Sequence, residues 1–201
     1  MIISIDIDGV LVDREGYQNK MAIEYAKKHN LNSKILKPDE YNVHNIFGWD
    51  KSVFLDFWNE YLWDYAELPP IKGVKEVLEK LKADGHKIVI NTSRWLSERD
   101  DEIGTKMRET VRDWFEKYQL PYDQLVFACG DKVSVIDKEK ADCHIEDSVD
   151  EAKPIAAKIP VIVFHATYNQ SYNDKNTYRA KTWKDVYEII KKLEQNQFFN
   201  K

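Results

Sequence analysis

The stretch Asp6-Ile7-Asp8-Gly9-Val10 constrains this chain more than any other. Two carboxylates, two residues apart, follow the apolar run Ile2-Ile3-Ser4-Ile5. That run is short, rich in isoleucine and followed by a glycine, so it reads as a buried strand that stops at Gly9. Residues i and i+2 of a strand point to the same side. Two acids side by side at the end of a buried strand repel each other. A bound cation, a proton, or a nearby lysine or arginine must offset that cost. Taken alone, the pair also reads as a solvated turn. The rest of the chain weighs against that, because Thr92-Ser93 ends a second apolar strand and Glu146-Asp147 ends a later one.

The second strand is Lys87-Ile88-Val89-Ile90-Asn91-Thr92. A helix precedes it, with Val74, Val77, Leu78 and Leu81 at helical spacing, Gly73 at its start and Gly85 at its end. A further helix over roughly 106–118 leads through Pro121 to the strand Leu125-Val126-Phe127-Ala128. A short helix begins near Lys132, and Asp142-Cys143-His144-Ile145-Glu146 reads as the next strand. Ser148 and Glu151 have capping-box spacing for a helix reaching to about Lys158, with Val149, Ala152, Ile155 and Ala156 on its inner face. Val161-Ile162-Val163-Phe164 is the last clear strand, and Thr182 with Asp185 caps a final helix carrying Val186, Ile189, Ile190 and Leu193.

Strands separated by helices predict an α/β fold: a Rossmann-like three-layer sandwich around a mainly parallel sheet. In such sheets ligands gather at the carboxyl ends of the strands. Asp6 and Asp8, Thr92 and Ser93, Cys129 and Gly130, and Glu146 and Asp147 all fall at those ends.

Residues 16–69 break the alternation. No strong strand appears there, and 21–29 and 52–65 look helical, so the segment is expected to be a small helical cap inserted into a core made of 1–15 and 70–201. Pro69-Pro70 closes it. Its aromatic stripe, Phe54, Phe57/Trp58, Tyr61/Leu62 and Tyr65, is expected to form the cap's own core. Phe47, Trp49 and Trp63 are then the residues left to stack on a substrate ring.

The net charge of −5 lacks the basic excess of a nucleic-acid backbone binder. Two cysteines without a CxxC pair argue for reduced thiols in an intracellular protein and against a zinc site. The N-terminus shows no basic segment or cleavage site, and no apolar run nears the length of a membrane span, so a cytoplasmic protein is expected.

In order along the chain, Asp6-Ile7-Asp8-Gly9-Val10, Thr92-Ser93, a lysine, and Glu146-Asp147 resemble the four motifs of the haloacid dehalogenase superfamily. Thr92-Ser93-Arg94, Asp131-Lys132 ahead of a helix, and the strand ending at Phe164 followed by Thr167-Tyr168-Asn169 are similar to its 5′-nucleotidase branch with a helical cap. The resemblance implies a phosphomonoester hydrolase working through an aspartyl-phosphate, with nucleoside or deoxynucleoside 5′-monophosphates as substrates.

On that resemblance Asp6 is the nucleophile. Asp8 gives a proton to the ester oxygen and takes one from water, which requires a carboxyl protonatable near neutral pH. Mg²⁺ is held by the Asp6 carboxylate, the Asp8 carbonyl and Asp147, with Glu146 binding directly or through water. The Thr92 hydroxyl and Ser93 N–H hold phosphate oxygens, or serve only as a helix cap. Lys132 pairs with the phosphate and Asp6, with Lys138 as its rival. Arg94 contacts the phosphate or base, or is structural, and Arg99 is a weaker candidate. His144 is expected to be buried without a role, while His44 and His165 are placed near the cleft. The expected partner is a small phosphate ester rather than a nucleic-acid polymer or membrane, and the protein is expected to be a monomer or homodimer. Hydrolysis of sugar phosphates, phosphoryl transfer to an alcohol, and a non-catalytic binding protein of the same fold are the other readings.

Overall fold

Every strand of the sheet runs parallel to its neighbours, because each strand is reached from the previous one by a crossover on a sheet face. The computed structural model describes residues 1–199, with side chains through residue 195. The elements are β1 (Ile2–Ile5), α1 (Arg14–His29), α2 (Val43–Phe47), α3 (Val53–Ala66), α4 (Val74–Ala83), β2 (Lys87–Thr92) and α5 (Glu102–Tyr118), then β3 (Gln124–Phe127), α6 (Lys132–Glu139), β4 (Cys143–Glu146), α7 (Val149–Ala156), β5 (Val161–Phe164), β6 (Thr177–Ala180) and α8 (Trp183–Phe199). The strand order is β3-β2-β1-β4-β5-β6. The chain therefore reverses its direction of winding between β1 and β4, which opens a crevice at the carboxyl ends of those two strands.

Period-two alternation divides the core between the two faces. Ile3 and Ile5 of β1, Cys143 and Ile145 of β4, and Ile162 and Phe164 of β5 join the larger cluster with α4, α5 and α8. Val161 and Val163 turn to the opposite face and pack with Ile136 of α6 and Ala152 and Ile155 of α7. The α/β reading therefore holds, with helices on both faces.

Several local expectations change. β1 ends at Ile5, and Gly9, at φ 76°, turns the chain sharply so that Val10 and Leu11 both donate back to the Ile7 carbonyl. Helix α5 starts at Glu102, where Asp101 caps it by accepting from the Gly104 N–H. The Ser148–Glu151 capping box does not form: Ser148 makes no side-chain cap bond, and its N–H donates to Glu146 instead. Helix α7 stops at Ala156. β6 was not legible, because Thr177-Tyr178-Arg179-Ala180 is a polar edge strand without an apolar run. The Thr182–Asp185 cap of α8 forms as expected, with the Asp185 N–H donating to the Thr182 hydroxyl at 3.2 Å and the Thr182 N–H donating to the Asp185 carboxylate at 2.8 Å.

Between β1 and β2, helices α1, α2 and α3 pack around Tyr25, Trp49 and Phe57. No helix among the described residues is long and apolar enough to cross a membrane.

Candidate active site

Sheet register places four of the chemically important residues in one row. Ser4 and His144 are paired across β1 and β4, and Asp6 and Glu146 follow each of them by two residues, so all four share the face covered by α6 and α7. Lys132, the first residue of α6, enters this row from above. Its ammonium lies 2.9 Å from Asp6 and 2.6 Å from Glu146, with all three residues buried. The helix start is fixed by Asp131, which accepts from the Ser134 N–H, and by Asn91, whose amide donates to the Lys132 carbonyl at 3.2 Å. Lys138 lies on the same helix but is exposed to solvent.

Asp147 completes the centre. Its carboxylate lies against the backbone of Gly9, where a Cβ on residue 9 would overlap both carboxyl carbon and oxygen. The Tyr168 hydroxyl donates to its Oδ2, and the Asn169 amide holds its main-chain carbonyl at 2.8 Å. Ligand oxygens of Asp6, Glu146 and Asp147 all lie within 4.8 Å of one another.

Of the three buried carboxylates only Asp6 and Glu146 pair with the Lys132 ammonium, and the protonation of all three reflects it. Burial pushes the Asp6 carboxyl up, Lys132 pulls it down, and Glu146 and Asp8 add to the rise, leaving it at about 7. Burial, with Glu146 and Asp6 beside it, holds Asp147 well above the usual carboxylate range. Glu146 is also penalised by burial, but Lys132 and His144 outweigh that and keep it below its ordinary value. The excess of buried negative charge and the hard oxygen donors fit a divalent cation held by Asp6 and Asp147.

Asp8 meets a different cation. The two acids line the same cavity but do not share one counter-charge: Lys132 serves Asp6 and Arg94 serves Asp8. Arg94 donates to Asp8 through Nε at 3.1 Å and through Nη2, and the Tyr65 hydroxyl donates to the same oxygen. Burial raises the Asp8 carboxyl, but the Arg94 guanidinium and the Tyr65 hydroxyl more than offset this, so it rests below the usual range. The carboxyl protonatable near neutral pH that the sequence reading asked for is thus an ionised one here, available to accept a proton.

Thr92 is fully buried at the end of β2, and its hydroxyl has no hydrogen-bond partner among the described residues. The Ser93 hydroxyl accepts from the Gly130 N–H at 3.2 Å. Arg99 lies at the surface paired with Asp101, at the start of α5.

Two cavities meet at Asp8. One, of about 500 Å³, is lined by Asp6, Lys132, Asp147, Ser93 and Tyr168. The other, of about 210 Å³, is lined by Phe54, Trp58, Leu62, Tyr65, Trp95 and the two arginines Arg14 and Arg94. Asp8, Tyr41, Asn42 and Ser93 belong to both walls. Arg14 is buried, stacks 3.7 Å from the Tyr41 ring centre, and has no carboxylate within ion-pairing distance among the described residues.

None of Phe47, Trp49 and Trp63 lines either cavity. Phe47 and Trp49 are buried, stack on each other at 5.1 Å, and line neither cavity; the Trp49 indole N–H is used by the Asn32 carbonyl. They belong to the packing between the helices. The α3 stripe packs in the core as expected, with Phe57, Trp58, Leu62 and Tyr65 all buried and Phe54 and Tyr61 against them, and Phe54, Trp58, Leu62 and Tyr65, spaced four, four and three residues apart, also form one wall of the second cavity. Trp63 instead carries the Lys106 ammonium 4.1 Å above its ring. Sequence reasoning missed Tyr65, Trp58, Trp95, Tyr41 and Arg14. The helical spacing of four, four and three residues along α3 was the available signal for the first two, and Tyr168 sat inside the Thr167-Tyr168-Asn169 motif without an assigned task. Nor does His44 reach the centre: its ring meets Phe54 edge-on at 5.5 Å, in a separate surface hollow. His165 sits at the end of β5, where its N–H donates to the Ala180 carbonyl.

Comparison with known proteins bears on the family and the fold. The family model for 5′ nucleotidase, deoxy (pyrimidine), cytosolic type C protein matches residues 1–198. Nucleotidase CA_C3379 of Clostridium acetobutylicum is 29% identical over 196 residues, covering 95% of this chain and 94% of that protein. Among solved structures, a predicted phosphatase from Clostridium acetobutylicum superposes with a TM-score of 0.62 at 16% identity, covering 95% of this chain and 98% of the other. A HAD-superfamily hydrolase, subfamily IA, from Geobacter sulfurreducens superposes with a TM-score of 0.55 at 15% identity, covering 94% and 95%. With its family matched over nearly the whole length, the chain belongs to the 5′ nucleotidase, deoxy (pyrimidine), cytosolic type C family and is an enzyme of the haloacid dehalogenase phosphatase type.

Proposed function

We propose that this chain is a Mg²⁺-dependent phosphomonoester hydrolase acting through an aspartyl-phosphate on Asp6, with nucleoside or deoxynucleoside 5′-monophosphates as substrates. The observation that carries the reading is the placement of Asp6. It is held by Lys132 inside a buried carboxylate cluster and opens on a polar cavity that joins an aromatic one. A phosphate in the first cavity leaves the second for the leaving group, where Trp58, Tyr65 and Trp95 offer flat apolar walls and Arg14 offers donors to a ring or sugar oxygen. Residues 16–69 act as the cap that supplies most of these walls.

Mg²⁺, held by Asp6, Asp147 and the Asp8 carbonyl, would supply positive charge against the transferring phosphoryl group. Lys132 adds to that charge and keeps Asp6 oriented. An Asp6 carboxylate oxygen attacks phosphorus and the bond to the ester oxygen breaks. Entry of a dianionic phosphate beside Asp8 adds like charge and raises its carboxyl, so that it carries a proton and delivers it to the departing oxygen. Water then attacks the phosphorus of the aspartyl-phosphate, the bond to Asp6 breaks, and the ionised Asp8 takes the water's proton. The unpartnered Thr92 hydroxyl and the Ser93 N–H would satisfy the phosphate oxygens.

A panel of phosphomonoesters assayed with and without Mg²⁺ tests the reading. Faster turnover of nucleoside monophosphates than of sugar phosphates is expected, and equal rates on both would sink the nucleotide assignment. Product analysis with an added nucleoside separates hydrolysis from phosphoryl transfer.

A further inference from the structure

The face of the sheet beneath α6 and α7 carries two polar residues where apolar ones would pack. Ser4 of β1 and His144 of β4 are both buried among Ile136, Ala152, Val161 and Val163. Burying a hydroxyl and an imidazole is costly unless both are bonded, and here they are bonded to each other and onward to the active centre. The Ser4 hydroxyl lies 2.9 Å from His144 Nδ1, and His144 Nε2 lies 3.1 Å from Glu146 Oε2. The same oxygen receives Lys132 at 2.6 Å, and Lys132 reaches Asp6 at 2.9 Å. One continuous buried chain therefore runs Ser4–His144–Glu146–Lys132–Asp6.

We propose that His144, held by Ser4, is a positioning residue that fixes the Glu146 carboxylate and through it aims Lys132 at the nucleophile Asp6. The inference rests on the phosphatase reading for what Asp6 does.

The direction of each bond follows from chemistry. Ionised Glu146 only accepts, so His144 donates through Nε2–H. Its Nδ1 then carries the lone pair and accepts the Ser4 hydroxyl proton. The remaining oxygen of Glu146, Oε1, accepts the N–H groups of Asp147 and Ser148, each at 3.1 Å. Four donors fill the four acceptor positions of a carboxylate. Glu146 is then committed to holding Lys132 and the start of α7, and Asp6 and Asp147 remain as the carboxylates open to a cation. Neither Ser4 nor His144 lines either cavity, so their effect on turnover runs through Lys132 and not through substrate contact.

The test uses the full chain with Mg²⁺ and a nucleoside monophosphate. His144→Phe fills the space without a donor, His144→Gln keeps an amide donor, and Ser4→Ala removes the bond to Nδ1. Outer partners of this kind change activity by roughly 10- to 100-fold. His144→Phe should lower kcat by that order with KM for the nucleotide and Kd for Mg²⁺ near wild type, and His144→Gln should recover part of the loss. Nitrogen-15 spectra of the wild-type ring should show the Nε2–H tautomer, and Ser4→Ala should shift the Nδ1 signal and lower kcat. Three results would each overturn the proposal: an unchanged kcat in folded His144→Phe, a Mg²⁺ affinity that falls in step with kcat, or an Nδ1–H tautomer. If His144→Phe does not fold, Ser4→Ala and the tautomer decide, and unchanged kcat and ring signals in Ser4→Ala count against it. Absence of turnover in the wild-type chain would strike the phosphatase reading, and the tautomer would still decide the bonding of the pair.

Discussion

The Asp147 carboxylate occupies the space that a side chain on residue 9 would fill. Gly9 also sits at φ 76°, where any other L-residue is strained. The glycine of the opening motif thus serves the later acidic motif directly. Gly9→Ala is expected to displace Asp147 and to lower stability by about 1–3 kcal/mol through backbone strain. Calorimetric titration with Mg²⁺ should show weakened binding in the variant, and urea melts should report the stability loss.

Asp6→Asn should remove at least about a thousandfold of turnover, since an amide cannot form the aspartyl-phosphate. The same change removes one charge from a site where burial, with Glu146 and Asp8 beside it, pushes Asp6 up to about 7. The melting temperature should therefore equal or exceed that of the wild type. Retained hydrolysis in a folded Asp6→Asn protein would refute the covalent route.

Arg94→Met would leave Asp8 ionised without its cation. Arg94 is 2% exposed and the Asp8 side chain 20%, so the loss should fall at the lower side of the range for a broken buried pair, about 2–3 kcal/mol. Arg94→Lys should restore little, because both Nε and Nη2 of the guanidinium contact Asp8 and an ammonium cannot reproduce that fork. Denaturant midpoints of the three proteins check the order.

Trp95 is partly exposed on the wall of the aromatic cavity, so Trp95→Ala should leave the fold within about 1 kcal/mol of wild type. KM for nucleoside monophosphates should rise several-fold while that for a small phosphate ester stays level. A uniform change across both substrates would remove the leaving group from this cavity.

His86 gives the fold an acid-sensitive point. It is almost fully buried, 3.2 Å from the N-terminal ammonium, and burial and that charge together lower its pKa, outweighing Glu194 and Asp84 on the other side; Lys191 adds to the fall. In the unfolded chain it takes up a proton near its ordinary value of about 6.5, while in the folded chain it stays neutral to lower pH. The unfolded state then binds more protons, so stability is lost as pH falls below about 6.5 and is level above it as far as His86 is concerned. Urea melts between neutral and mildly acid pH should show this slope, and His86→Gln should flatten it.

The sequence carried the α/β framework because its signals are local. Residues such as Val74, Val77, Leu78 and Leu81 show a helical period, and short isoleucine- and valine-rich runs ending in Asp6, Thr92 and Glu146 mark strand ends. Edge strand β6 escaped because an edge needs no apolar run. The Ser148–Glu151 spacing misled because Glu146, fixed by tertiary contacts, took the Ser148 N–H first.

What the sequence determined by itself was the set of acids, hydroxyls and cations that arrive at one edge of a parallel sheet. Strand period and helical crossovers dictate that edge without reference to the rest of the fold. Only the tertiary structure decided how those groups are paired. Asp6 goes to Lys132 on α6, whereas Asp8 goes to Arg94, 86 residues away, and to Tyr65, 57 residues away. Only the packing decided, too, that Trp58 and Tyr65 face a cavity while Phe47 and Trp49 stack in a core. Such pairings depend on how α3 and the loop after β2 lean across the sheet. Sequence period fixes the face of an element but not the neighbour that the face will meet.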